Sequence, residues 1–414
     1  MKEILKQVIF DQREKLVLNP IINRKIDSYI YTVHQIIVIS GIRRCGKSVL
    51  LNQIKEKNKE KDYYLNFDDE RLIHFTSNHF QELIEVFLEL FGEQNTYYFD
   101  EIQNIIGWER FVRRLHDAGK KVYITGSNAT MLSRELGTHL TGRYIQIELF
   151  PFSFKEFLEY HNIKTNQETI YSTKGKVALK KKFDEYMKVG GFPLNFKQDN
   201  PFFIKTLYQN ILYRDVMVRN HLVNEKEITE LIYLLASNVS KLSSYASLAK
   251  SIGVKSTTTI KNYIEYISNT YLLFQIPLFD YSLKVQLKNP KKTYFIDNAI
   301  VNQIGFNFSE NIGRNLENIV FLELKRQGYE IFYHQKKTEC DFVIRENNKI
   351  HQAIQVTAYL DNIETKKREL NGLVQAMKEY DLKTGLILTL DTESEEQIEE
   401  FVIKIMPIWK WLVL

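Results

Sequence analysis

Cysteine is scarce in this chain: Cys45 and Cys340 are its two, far apart and in unrelated contexts. That excludes a disulfide-framed scaffold. Long apolar runs are missing as well. No stretch reaches the roughly 18–20 residues of a membrane span. The charged start MKEILKQVIFDQREK lacks the unbroken apolar core of a signal peptide. The expectation is a cytoplasmic protein with no membrane partner. A large charge of one sign is also lacking, since the formal net charge is +5. Its distribution is uneven. Basic and acidic residues number 22 and 21 in residues 1–157, 20 and 12 in 158–309, and 14 and 18 in 310–414. A basic middle suits contact with a polyanion, and equally a solvated lysine-rich surface. The 44% hydrophobic and 26% charged content is ordinary for a globular protein, and 414 residues are too many for one core.

What is present begins at HQIIVISGIRRCGKSVLLNQI. A β-branched apolar strand runs into G-x-x-x-x-G-K-S and then into an apolar-periodic helix, the context a phosphate-binding loop requires. Gly41, Ile42, Arg43, Arg44, Cys45, Gly46, Lys47, Ser48 and Val49 form the candidate loop. Gly41 and Gly46 allow the tight turn, and backbone N–H groups at the helix start face the phosphates. Lys47 is suited to the β- and γ-phosphates and Ser48 to Mg²⁺. Downstream, TYYFDEIQNI ends a strand on Asp100 and Glu101. The first suits the Mg²⁺ shell and the second the polarisation of an attacking water, although a DE pair alone is often a solvated strand end. KKVYITGSNA ends in Thr125, Ser127 and Asn128. Ser127 and Asn128 are candidates for γ-phosphate or water contact, or are plain turn residues. Arg143, in HLTGRYIQIELFPFSFKEF, is a candidate arginine finger if it reaches a phosphate in its own or a neighbouring subunit, and otherwise a surface arginine.

Together GIRRCGKS, YLNFDDERL, YFDEIQN, ITGSNA, LTGRYIQIELFPFSFKEF and the later GGFP resemble a family of archaeal and bacterial AAA+-like P-loop ATPases. The resemblance implies a parallel sheet between helices, ATP and Mg²⁺ as cofactors, and hydrolysis assisted by the glutamate of the DE pair. Gly46, Lys47, Ser48, Asp100 and Glu101 are the residues it implicates. It also implies a helical lid over 151–240, broken at Gly190-Gly191-Phe192-Pro193, and a C-terminal domain with the outline of a restriction endonuclease.

The middle of the chain has its own pattern. In KLSSYASLAKSIGVKSTTTIKNYIEYISNTYLLFQIPLFD, Ser244 is suited to cap a short helix, IGVKST to turn, and the next stretch to form a second amphipathic helix followed by a strand. Helix, tight turn, helix and strand is a helix-turn-helix with a wing, placed at 241–308. Lys255, Ser256, Thr257, Thr258, Lys261 and Asn262 fall at the start of the second helix, where they suit phosphate and base edges. No arginine is present there, and such modules also bind proteins. Arg214-Asp215, upstream, reads most simply as a helix-surface ion pair.

In 309–414, a helix carrying Glu317, a strand carrying Asp341 and a further strand, HQAIQVTAY, match the order of a metal-dependent nuclease core. The expected carboxylate and lysine of that last strand are replaced by Gln355 and Thr357. Glu317, Asp341 and Gln355 are therefore a candidate vestigial metal site. The missing lysine costs about 10²–10³ in rate by analogy with loss of a transition-state donor. Lys366 and Lys367 look like a solvated helix face. The expected architecture is α/β: a P-loop ATPase domain of the AAA+-like (ASCE) kind at 1–150 with a parallel sheet, a lid, a winged helix and a degenerate nuclease-like domain. The expected function is an ATPase whose cycle drives DNA contact, as a homo-oligomer. The alternatives are a STAND-like ATP-dependent switch binding a protein partner and, third, an ATP-controlled nuclease.

Overall fold

The structure is a computed structural model, and it describes residues 1–14, 22–127, 140–196, 201–305 and 312–414. The chain divides into two compact units. One comprises Met1–Phe150 with Asn269–Tyr271, and the other Pro151–Ser268 with Leu272–Leu414.

The first unit alternates helices and strands: α1 (Lys2–Glu14), β1 (Ile36–Ser40), α2 (Lys47–Lys57), β2 (Tyr64–Asn66), α3 (Phe80–Phe91), β3 (Thr96–Asp100), α4 (Trp108–Asp117), β4 (Lys121–Gly126) and β5 (Tyr144–Glu148). The strands lie in the order β2-β3-β4-β1-β5 and every pairing is parallel. All five residues of β1, IIVIS, are buried, which is why its sequence is continuously apolar instead of alternating. A large aromatic core fills one face, with Phe80 stacked on Phe111 at 4.0 Å between ring centres and Trp108 wholly buried. Because β4 lies between β1 and β3, the ends of these three strands meet along one edge of the sheet. Ligands of open parallel sheets bind outside that carboxyl edge.

The second unit opens with helices α5 (Phe154–Tyr160), α6 (Gln167–Tyr171), α7 (Thr173–Val189), α8 (Pro193–Phe196) and α9 (Phe203–Asn210), then a π-helical segment over Ile211–Val218. It continues through α10 (Glu225–Ser237), β6 (Leu242–Ser243), α11 (Tyr245–Ile252), α12 (Thr257–Ser268), β7 (Leu273–Ile276), α13 (Leu283–Lys288) and β8 (Lys291–Phe295). The Ser244 side chain caps α11, and Gly253, at φ 75°, ends it before the turn into α12. Strands β6, β8 and β7 form a small antiparallel sheet. The link from β7 to β8 is not a free loop. Phe279 N–H donates to Tyr333 O at 2.8 Å and Tyr333 N–H to Pro277 O at 3.1 Å, fastening it to a strand of the next sheet.

That sheet follows α14 (Asn298–Ile304) and α15 (Ile312–Arg326). Its elements are β9 (Glu330–Gln335), β10 (Glu339–Glu346), β11 (Lys349–Val356), α16 (Ile363–Glu379), β12 (Thr384–Thr389), β13 (Ser394–Ile398), β14 (Phe401–Pro407) and α17 (Ile408–Trp411). The order is β13-β14-β12-β11-β10-β9. β9, β10 and β11 are an antiparallel meander, and β12 runs parallel to β11 across the α16 connection. The terminal IMPIWKWLVL forms the end of β14 and α17, with Ile408 and Trp409 buried.

The GGFP breaker is held by a buried carboxylate. Asp297 Oδ2 accepts from Gly191 N–H at 2.6 Å and Oδ1 from Ala299 N–H at 2.8 Å. A side chain at Gly190 would overlap that carboxylate. Burial pushes the Asp297 pKa up to about 7, against the pull of the two backbone donors and Arg326. The folded chain thus keeps a proton that the unfolded chain releases near pH 4. The stability from this group is complete below that pH and is lost as pH rises towards 7. A shift of this size is worth at most about 4 kcal/mol. Thermal melts from pH 5 to pH 8 are expected to fall less steeply for Asp297→Asn than for the wild type. Equal slopes would remove Asp297 from the account.

Candidate functional site

The loop between β1 and α2 owes its path to two glycines. Gly41 sits at φ 145°, and a Cβ there would lie 2.2 Å from Leu149 O, so a side chain is excluded by backbone. Gly46, at φ 103°, precedes α2. Arg44 also takes a positive φ, 66°. Cys45 is wholly buried, and burial pushes its thiol pKa up, so it packs and does not react.

Lys47 is 4% exposed. Its Nζ donates to Gly41 O at 3.3 Å and Ile42 O at 3.2 Å and stands 3.6 Å from Glu101 Oε1. The end of β3 supplies the rest. Asp100 is fully buried and accepts hydrogen bonds from Thr125 Oγ1, Tyr64 Oη and the Ser48 side chain. Burial, then the charge of Glu101, raises the Asp100 pKa, while Thr125, Ser48 and Lys47 oppose the rise. A divalent cation beside it would relieve the burial cost. Glu101 has a left-handed backbone at φ 50°, which is strained for a residue with a Cβ. Its N–H donates to Thr125 Oγ1 at 2.9 Å and its carboxylate accepts from Gln103 Nε2, which helps hold that conformation. The loop, Lys47, Ser48, Asp100 and Glu101 therefore meet at one edge, with Thr125 bridging the two carboxylate residues.

Of the residues weighed after β4, Ser127 is buried and its Oγ makes no hydrogen bond among the described residues. Asn128 lies outside them. Thr125, inside β4, makes contacts to both Asp100 and Glu101. Tyr64, Gln103 and Arg24 were not anticipated. Arg24 Nη2 donates to Phe150 O at 2.6 Å and Nη1 to Cys45 O at 3.5 Å, bracing the loop from behind. A lone arginine before the first strand carries no motif that could have flagged it.

Arg143 is corrected in one respect, its reach to the phosphates of its own subunit. Its carbonyl accepts from Ile36 N–H, at the start of β1, whereas the phosphate loop leaves the far end of that strand. Five residues of strand separate the two ends by about 15 Å. Its guanidinium pairs with Asp117 at 3.1 Å. A role on its own subunit's phosphates is not compatible with that placement.

A family model described as an AAA domain matches residues 33–158, the stretch that holds every loop and β3 residue named above. A second, a domain of unknown function (DUF8612), matches 180–311. The uncharacterized protein MJ1544 of Methanocaldococcus jannaschii is 38% identical, over 99% of this chain and 95% of its own length. This chain belongs to its family. An uncharacterized protein of Haemophilus influenzae is 32% identical, over 76% of this chain and 80% of its own length. Among solved structures, Cdc6p from Pyrobaculum aerophilum overlaps with a TM-score of 0.26 at 12% identity, over 62% of this chain and 90% of that one. The AAA domain supports nucleotide binding and an ATPase-type function in the MJ1544 family. Among the described residues, no helix is long and apolar enough to cross a membrane.

In the second unit, Lys255, Ser256, Thr257, Thr258, Lys261 and Asn262 are all exposed at the start of α12. Asp215 is 2% exposed and stands 3.8 Å from Arg219, so the carboxylate expected at the helix surface is corrected to a buried one. Lys366 pairs with Glu396 at the surface.

The candidate metal site at Glu317, Asp341 and Gln355 is also corrected. Lys292, from β8, is 2% exposed and holds the cluster's centre. Its Nζ lies 3.0 Å from Glu317 Oε1, 2.8 Å from Asp341 Oδ1 and 2.6 Å from Glu339 Oε1. Burial disfavours its charge, but Asp341, Glu317, Tyr294 and Glu339 outweigh that and raise its pKa well above the ordinary range. Tyr294 Oη donates to Glu317 Oε1 at 2.6 Å. The Gln355 amide is engaged by other groups: its Oε1 accepts from Asp341 N–H at 3.2 Å and its Nε2 donates to Glu369. Thr357 Oγ1 donates to Tyr359 O. No group of three or more His, Cys, Asp or Glu residues suited to a metal occurs among the described residues.

Proposed function

We propose that this protein hydrolyses ATP with Mg²⁺ and couples its nucleotide state to contact with duplex DNA through α12. The observation that carries the ATPase part is Lys47 set between the loop carbonyls and Glu101, beside the buried Asp100. Ser48 and Asp100 are the residues that would hold Mg²⁺, and the bound ion would neutralise charge on the phosphates. Lys47 orients the phosphates, the loop N–H groups cradle them, and Glu101 takes the proton of the attacking water.

The DNA part rests on the exposed lysines and hydroxyls of α12, in a winged-helix order of elements. Lys291, whose pKa is lowered by burial and then by Lys261, extends the same basic face. Because the β7–β8 link is fastened to β9, this reading relies on the helix and not on a mobile wing. The sequence of elements α15, β9, β10, β11, α16 and β12 supports a nuclease-like outline for the C-terminal part, used for docking and not for cleavage. Arg143 acts, in this reading, at a boundary between copies of the chain.

The test is ATP turnover with and without duplex DNA, together with DNA binding over a range of salt. Lys255→Ala and Lys261→Ala are each expected to weaken binding uniformly across sequences and to lower the log–log salt slope by about 1. Binding that ignores salt, or turnover that ignores DNA, would move the protein to the class of ATP-dependent switches with a protein partner.

A further inference from the structure

The carboxylates expected to hold a metal already have a cation. An ammonium has three N–H donors and no acceptor. Lys292 has three carboxylate oxygens around it, from Glu317, Asp341 and Glu339, at 2.6–3.0 Å. These are hydrogen-bond lengths. Mg²⁺ binds oxygen at about 2.0–2.1 Å, so the shell has the size of an ammonium. Two neighbouring polar groups are engaged by other partners. Asp341 Oδ2 accepts from Val356 N–H at 2.9 Å, and the Gln355 amide is divided between Asp341 N–H and Glu369. Glu317, Asp341, Gln355 and Thr357 are buried, and Glu339, with 37% of its side chain exposed, is the member of the cluster that faces solvent.

We propose that the Lys292 ammonium is the resident cation of this cluster, standing where a divalent ion would sit, and that it makes the cluster a metal-independent joint between β8 and the six-stranded sheet. The lysine comes from the segment after α12, whereas its partners lie on α15 and β10. One ammonium thus clamps the end of the helix-turn-helix segment to the C-terminal domain. A chain with this device has no need of metal to hold those elements together and no means of cutting DNA there.

The experiment is Mn²⁺ binding to the nucleotide-free full-length chain, read by electron paramagnetic resonance, for the wild type, Asp341→Asn, Lys292→Ala and the Lys292→Ala/Asp341→Asn double variant. Folding is checked by circular dichroism. The wild type and Asp341→Asn are expected to bind the same amount of Mn²⁺, because the cluster takes none. Lys292→Ala empties the ammonium's place and is expected to gain one Mn²⁺ that the double variant lacks, with Mn²⁺ raising its melting temperature. Asp341-dependent Mn²⁺ binding by the wild type overturns the proposal, as does Asp341-dependent nicking of DNA. A folded Lys292→Ala chain that gains no Mn²⁺ overturns it too. Where Lys292→Ala fails to fold, the wild-type comparison decides alone.

Discussion

Glu101→Gln is expected to leave ATP bound and to slow turnover by about 10²–10⁴-fold, the usual effect of removing a general base. The substitution is close to isosteric, so the strained backbone at φ 50° and the N–H bond to Thr125 stay in place. What is lost is the carboxylate that stands 3.6 Å from Lys47 and accepts from Gln103. Lys47→Ala separates the roles, since it removes the phosphate-binding charge and is expected to abolish nucleotide affinity, with turnover lost as a consequence. Equilibrium ATP binding and steady-state phosphate release, measured on both variants, distinguish the two defects. Normal phosphate release from Glu101→Gln would assign the water to another group, and weak ATP binding by that variant would give Glu101 a binding role instead.

These residues were legible in the sequence because the chemistry of a phosphate loop is local. Gly41, Gly46, Lys47 and Ser48 lie within eight positions, and β3 announces itself as an aromatic run ending in Asp100-Glu101. Arg143 was not legible in the same way. The sequence puts it just before β5, but only the parallel register, Ile36 opposite Tyr144, shows that this end lies at the edge away from the loop. Thr125 needed the strand order, since β4 lies between β1 and β3 only in the folded sheet. Lys292 was hidden further. It lies 25 and 49 positions from Glu317 and Asp341, in a lysine-rich stretch that reads as solvated surface. The one signal was period two: Lys292 and Tyr294 share a face of β8, and both turn to Glu317. The carboxylates themselves were found from sequence, but the sign of the charge between them was not.

Lys292→Met is therefore expected to cost about 3–5 kcal/mol of stability in the C-terminal unit, the range for breaking a buried ion pair by removing one partner. Methionine keeps most of the stem's volume, so the loss isolates the charge. Glu317 and Asp341, both buried, are left to repel one another without a counter-ion. Burial and the neighbouring Asp341 already raise the Glu317 pKa in the wild type, against the pull of Lys292 and Tyr294. Removing Lys292 raises it further. The folded variant then binds protons more readily than its unfolded chain, so its stability is greatest in acid and falls as pH rises through the raised pKa. Adding Glu317→Gln and Asp341→Asn to Lys292→Met removes the uncompensated charges and is expected to recover most of the loss, because an uncharged cluster of similar shape has no ion to desolvate. Denaturant unfolding of the single and triple variants at pH 5 and pH 8 reads both effects. A single variant as stable as the wild type at pH 8 would mean that the clamp carries no stability. A triple variant as weak as the single one would trace the loss to packing around the stem, and the charge would then have no part in holding β8 to the sheet.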